Sequence, residues 1–140
     1  MRYLLDTNVI SELIARQPNA QVVAWIDSLD PTTVYLSVIT IGEIRKGIEK
    51  LEPSKRKDVL LDWLNTDLLI RFHEHLAEIT TEVMLRWGEM TGQLERQGRP
   101  VGVVDSLIAA IALAGEFVLV TRNQRDFEGT GVTLLNPWSH

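Results

Sequence analysis

Apolar and polar positions along this chain switch repeatedly between short runs and helical stripes. Tyr3-Leu4-Leu5 is an apolar run that breaks at Asp6-Thr7-Asn8, after which Val9, Ile10, Leu13 and Ile14 recur at helical spacing; strand, turn and helix are predicted. Pro18-Asn19 opens a second helix with Val22, Val23, Ile26 and Leu29 on one face. Val34-Tyr35-Leu36-Ser37, bounded upstream by Asp30-Pro31, predicts a second strand. Thr40 and Glu43 have the spacing of a capping box ahead of the stripe Ile41, Ile44, Ile48 and Leu51, and Pro53-Ser54 ends that helix. Leu60, Leu61, Leu64 and Leu68 mark a further helix behind the polar start Lys55-Arg56-Lys57-Asp58, with Leu69-Ile70-Arg71-Phe72 as a third strand. From Thr80 or Thr81, the stripe Val83, Trp87, Met90 and Leu94 predicts a helix that Gly98 and Pro100 terminate.

In the last third, Asp105 opens a helix that is apolar on nearly every side from Leu107 to Leu113, the pattern of a buried helix, and Gly115 stops it. Phe117-Val118-Leu119-Val120 reads as a strand buried on both faces, and Val132-Thr133-Leu134-Leu135 as a fifth strand before Pro137. Strands alternating with helices predict an α/β fold: a three-layer domain with a central parallel five-stranded sheet flanked by helices. At 140 residues the chain suits one domain, residues 1–140, and no linker or repeat interrupts it.

Composition narrows the chemistry. With no cysteine, thiolate catalysis, disulfides and Cys-ligated metals are excluded. The apolar run after Arg2 is too short for a signal peptide or a membrane span, so a soluble cytoplasmic protein is expected. Fourteen Lys and Arg against 19 Asp and Glu give a net charge of −5, which at first argues against a nucleic-acid partner. If four acids gather around a divalent metal, however, 15 remain against 14 bases, and the rest of the surface is nearly neutral.

Ligands of open parallel sheets bind beyond the carboxyl ends of the strands, where strand order reverses. The turn after the first strand supplies Asp6-Thr7-Asn8; the turn after the fourth supplies Thr121-Arg122-Asn123, with Asp126 beyond; helices starting at the same edge bring Glu43 and Asp105. Each acid has a structural alternative. Asp6 is a candidate helix cap, Glu43 a capping-box partner, Asp105 a carboxylate at a helix dipole, and Asp126 either a surface loop acid or the third-turn partner of an Asn123 cap. Together they form a set of hard oxygen ligands that favours Mg²⁺ or Mn²⁺ over zinc. No phosphate-cradling glycine motif is present. His73-Glu74-His75 reads as a solvated loop, Lys55-Arg56-Lys57 as a solvated helix start, and His140 as a frayed end.

These residues also carry a family likeness. Leu4-Leu5-Asp6-Thr7-Asn8-Val9-Ile10-Ser11-Glu12, Ser37 through Gly47, Asp105-Ser106-Leu107-Ile108-Ala109-Ala110 and Val120 through Phe127 resemble the ordered motifs of PIN-domain ribonucleases over almost the whole chain. Within them the chain resembles the VapC toxins of type II toxin–antitoxin modules, and Asn136-Pro137-Trp138 is similar to the FitB-type branch. The resemblance implies a Mg²⁺-dependent endoribonuclease, with Mn²⁺ able to substitute. It also implies a homodimer silenced by a cognate antitoxin, through which the complex binds operator DNA. It places Asp6, Glu43 and Asp105 in the acidic core, Asp6 and Asp105 on the metal, and Thr7, Asn8 and Thr121 as orienting neighbours. The fourth family acid is where the chain departs, since Asn123 stands two residues after Thr121; Asp126 and Asn123 are both candidates for that place. Arg45, Arg122 and Arg125 are candidates for flanking RNA phosphates. Two other functions fit parts of the pattern. A phosphatase or phosphoacceptor domain also begins strand-Asp, but the second acid such sites need is Asn8 here. A catalytically weak binding module acting within an antitoxin–operator complex fits the same scaffold.

Overall fold

The computed structural model describes residues 1–139; the fraying expected of His140 lies outside them. Strands β1 (Tyr3–Leu5), β2 (Val34–Ser37), β3 (Leu76–Ala77), β4 (Val118–Val120) and β5 (Thr133–Leu135) form one parallel sheet in the order β3-β2-β1-β4-β5. The chain leaves β1 toward one edge and returns to lay β4 on its other side, so strand order reverses at β1. In register, Leu5 lies opposite both Leu36 and Val120. The next residues, Asp6, Ser37 and Thr121, therefore stand side by side at the carboxyl edge.

Alternation along the central strands divides the core in two. Leu5, Leu36 and Val120 pack on one face beneath α1 (Thr7–Leu13), α2 (Ala20–Asp27) and α3 (Val38–Glu49), together with Leu64, Leu68 and Phe72. Leu4 and Leu119 face the other way, against α6 (Thr81–Arg96) and α7 (Val103–Ala114). The helix from Val103 contributes Ile108, Ala109, Ala110, Ile111 and Ala112 to that second core. The apolar surface read from its sequence is thus covered largely within the chain. No described helix is long and apolar enough to cross a membrane.

Four elements differ from the pattern-based expectation. No turn separates β1 from α1: Asp6 is itself the N-cap and accepts the Thr7 N–H. Helix α3 begins a turn earlier than the proposed Thr40–Glu43 capping box, because Ser37 is the cap and its Oγ accepts the Thr40 N–H at 3.1 Å. Glu43 is therefore not needed as a cap. Asp105 does not open α7 but lies in its first turn, behind an N-cap at Gly102. Finally, Leu69–Phe72 is not a strand. Helix α4 (Lys55–Asp62) continues through a π-helical stretch, Trp63–Leu68, into the short α5 (Leu69–Arg71), and the third strand is Leu76–Ala77. The four-residue spacing of Leu64, Leu68 and Phe72 keeps all three buried on one helical side while Ile70 points to solvent.

The link from α7 to β4 is tight at Gly115. A Cβ added there would run into the buried Phe117 ring, with Cδ2 at 2.7 Å, and would crowd the Ile111 carbonyl at 3.3 Å. Gly115→Ala is expected to cost about 1–3 kcal/mol of unfolding free energy, as overpacking a closed core does. Thermal and urea melts of the two proteins measure it; an unchanged midpoint would show that the Phe117 ring yields freely.

Candidate active site

The carboxyl edge of β1 and β4 opens into a cleft of about 500 Å³. One helical face of α1 supplies Thr7, Asn8, Ser11 and Glu12 to its wall, with Ala15 just beyond the helix, while Val9, Ile10 and Leu13 of the same helix turn toward the core. Glu43, Asp105, Arg122, Asn123 and Trp138 complete it. A separate cavity of about 290 Å³ shares none of the candidate acids.

Asp6 is 7% exposed. Its Oδ1 accepts the Thr7 N–H at 2.8 Å, and its Oδ2 accepts from Thr121 Oγ1 at 2.9 Å and, at 3.4 Å, from Asn8 Nδ2. Thr121, fully buried, is the hub: while donating to Asp6, its hydroxyl oxygen accepts from Asn8 Nδ2 at 3.2 Å and from the Asn123 N–H at 3.1 Å. Asn8 Oδ1 in turn accepts the Arg122 N–H at 3.3 Å. Burial pushes the Asp6 carboxyl above its ordinary value, against the opposing pull of the Thr121 and Thr7 hydrogen bonds; the charges of Glu43 and Asp126 add to the rise.

Glu43 is held differently. Thr7 Oγ1 is 2.5 Å from Glu43 Oε1 and 3.1 Å from Thr40 Oγ1, which lies 3.3 Å from Ser37 Oγ. A hydroxyl has one proton to give, so a Thr7 that donates to the carboxylate must accept from Thr40. Ser37, Thr40 and Thr7 thereby form a chain of hydroxyls, its first two members buried, that ends on Glu43.

Asp105 has no such support. Burial, followed by repulsion from Asp126, then Asp6, then Glu43, pushes its carboxyl up to about 6. All three acids thus act on Asp105, with Asp126 the strongest of them. The 3₁₀ turn Gln124–Phe127 folds Asp126 back toward the cleft, and the Asn123 side chain makes no capping hydrogen bond to that turn. None of the four acids is ion-paired among the described residues. Nor is any group of three acids or histidines there drawn close enough to hold an ion jointly.

Of the arginines, Arg122 lines the cleft, Arg45 pairs with Glu49 on the exposed face of α3 at 3.3 Å, and Arg125 is exposed on the 3₁₀ turn. His73 and His75 make no metal pair: His73 faces the Ile70 carbonyl, and the His75 ring packs edge-on to Tyr35 at 4.6 Å. Glu12, Thr40, Ser37 and Trp138 belong to the surroundings of the site without having been singled out from sequence. For Glu12 a signal existed, since it lies one helical turn beyond Asn8 on the same face; Trp138, brought in from 126 residues away, stood in the Asn136-Pro137-Trp138 likeness, which said nothing of its place at the site.

A parallel α/β sheet with unpaired carboxylates at its switch point is the architecture of the PIN domain. The chain belongs to the PIN-domain family, whose model matches residues 3–132. It is 41% identical to plasmid stability protein StbB of Pseudomonas syringae pv. tomato over 96% of this chain and 97% of that one. It is 34% identical to VapC ribonuclease Y4jK of Sinorhizobium fredii over 96% of each. The crystal structure of FitAcB from Neisseria gonorrhoeae contains a chain that superposes with a TM-score of 0.94 at 36% identity, covering 99% of both chains. A chain of FitAB bound to an IR36 DNA fragment superposes at 0.92 and 36% identity, over 97% of this chain and 95% of that one.

The raised Asp105 carboxyl has a consequence for stability. In the folded protein it holds its proton up to about 6, whereas the unfolded chain releases it near 3.8, so over that interval the folded state binds more protons. This contribution is fully present below 3.8 and is lost as pH rises through about 6. In chelator-treated buffer, Asp105→Asn should therefore gain melting temperature relative to the parent as pH climbs from 4 to 7. A constant offset between the two proteins would show that the acids do not repel as described.

Proposed function

We propose that the protein, acting as one cytoplasmic domain, is a Mg²⁺-dependent endoribonuclease that hydrolyses RNA phosphodiester bonds and is the toxin of a type II toxin–antitoxin pair. The observation that carries this reading is the convergence of Asp6, Glu43 and Asp105 on one cleft, with Asp126 near enough to raise Asp6 and Asp105 and with none of the four acids in an ion pair among the described residues. Relatives named as ribonucleases and plasmid stability proteins support it.

The donor set fits a hard divalent cation. Every candidate ligand is a carboxylate or amide oxygen, and Mg²⁺ commonly binds through one or two carboxylates while retaining water, which suits a site where no three acids close together. Mn²⁺ takes the same donors. Asp6 and Asp105 would hold the ion, which when bound lowers the pKa of water and offsets charge on the phosphate. Glu43, fixed by the hydroxyl chain, orients the attacking water and takes up its proton. Thr7, Asn8 and Thr121 keep Asp6 in one rotamer, and Asn123 offers an uncharged amide to water at the rim. Arg122, with Arg45 and Arg125 further out, meets flanking phosphates.

A cognate antitoxin blocks the cleft and carries the complex to operator DNA; the likeness to FitAB in a DNA-bound complex supports that part. The same likeness favours the second reading, a catalytically weak module acting only within such a complex. Apolar side chains left on the surface of α6 (Met84, Leu85) and α7 (Val103, Val104) support a homodimer. Light scattering at micromolar concentration should report twice the chain mass, and a monomer would remove the dimer.

Asp6→Asn and Asp105→Asn should abolish Mg²⁺-dependent RNA cleavage and also lose the thermal stabilisation Mg²⁺ gives the parent, while remaining folded. Asp126→Asn should lose less than Asp6→Asn, and Asn123→Asp should tighten the ion. Near-parental cleavage by either of the first two variants, free of contaminating nuclease, would sink the enzyme. Metal titration of all four variants decides which residue fills the fourth place.

A further inference from the structure

Beyond β5 the chain turns back onto the cleft. Asn136 Nδ2 donates to the Arg122 carbonyl at 3.4 Å, and Asn136 Oδ1 accepts the Trp138 N–H at 2.9 Å. The indole Nε1–H donates to Glu12 Oε1 at 3.3 Å, and Glu12 Oε2 accepts the Asn19 N–H at 3.2 Å. Trp138 is thus a half-buried ring pinned at its polar edge, and the exposed Arg122 guanidinium lies over it, 5.1 Å from the ring centroid. Glu12 already serves two donors, and Arg122 has no carboxylate partner among the described residues. In a cleft with four acids, this cation is parked on an aromatic ring.

We propose that Arg122, backed by Trp138, is a stacking shelf for one nucleobase of single-stranded RNA next to the scissile phosphate. This deepens the ribonuclease reading and rests on it, and it gives Arg122 a base in place of a phosphate, leaving the phosphates to Arg45 and Arg125. A guanidinium laid on an indole loses little further freedom when a base stacks on it, and unpaired bases are bound on arginine planes and aromatic faces because every base has a π-face. The backbone beneath the shelf is anchored relative to the acids, since the Arg122 main-chain N–H is held by Asn8, which also donates to Asp6 and Thr121. It differs from a phosphate contact in what it requires: a phosphate needs only the charge, which lysine supplies, whereas stacking needs the plane, which lysine lacks.

The test uses the full chain with Mg²⁺ and a short single-stranded oligoribonucleotide cut at one mapped bond, with an abasic residue placed in turn at each position around that bond. Binding of the intact strand, with Ca²⁺ in place of Mg²⁺ so that it is not hydrolysed, is followed by the anisotropy of a dye on the strand. At one position the abasic substitution should cost the parent roughly tenfold, in KM rather than kcat. Arg122→Lys and Trp138→Ala should show about that loss on the intact strand and no further loss on the abasic one, and Trp138→Phe should keep most of the parent's sensitivity. Should Trp138→Ala not fold, Arg122→Lys carries the same comparison. An Arg122→Lys protein equal to the parent, or an abasic cost identical in every protein, overturns the shelf and leaves the ribonuclease standing. A parent that neither cuts nor binds any strand overturns both.

Discussion

A carboxylate taken out of water at the end of the central strand is the constraint on which the rest of the site depends. Asp6 follows β1 directly, caps α1, and sits where strand order reverses. Burying it is costly unless each oxygen is met by a donor. The Thr7 N–H meets one, and the Thr121 hydroxyl and Asn8 amide meet the other. Satisfying Asp6 fixes the end of β4, the first turn of α1 and the start of the segment that carries Asn123 and Asp126. Even so, burial outweighs these donors and leaves the carboxyl poised for a partner of opposite charge.

The other acids divide the work. Glu43 is preorganised through hydroxyls that reach back to the cap of α3, so its carboxylate is aimed without being neutralised. Asp105 stands in the first turn of a buried helix with nothing to offset its neighbours' repulsion. One acid is fixed and the other electrostatically frustrated, a combination suited to orienting water on one side of a cleft and admitting a cation on the other.

Much of this was legible in the sequence because it follows from short-range rules. The run that stops at Asp6, the β-branched Val34–Ser37 and the doubly buried Val118–Val120 each imply their strand, and the switch-point rule brings Asp6, Glu43, Asp105 and Asp126 to one edge. The errors came where two local signals compete. Ser37 and Thr40 are both good caps three residues apart; the strand runs directly into the helix, so the earlier one wins. Leu69–Phe72 has the composition of a strand, but the π-helical stretch before it keeps Leu64, Leu68 and Phe72 on one side, and tertiary burial overrides composition. Glu12 and Trp138 illustrate a different limit, a contact between distant segments that no local pattern encodes.

Those distant contacts bear on when the site can exist. Asp6 and Asn8 are tied to Thr121 across more than a hundred residues, and Glu12 to Trp138 across 126. A ribosome making this chain emits β1 and its aspartate more than a hundred residues before the strand that places Thr121 and the segment that places Trp138. A nascent chain held at any earlier point lacks the arrangement of its acids, and before residue 126 some of the acids themselves. For a protein proposed to cut RNA, synthesis itself is then a safeguard: activity would be born only once the segment that carries Trp138 has been translated.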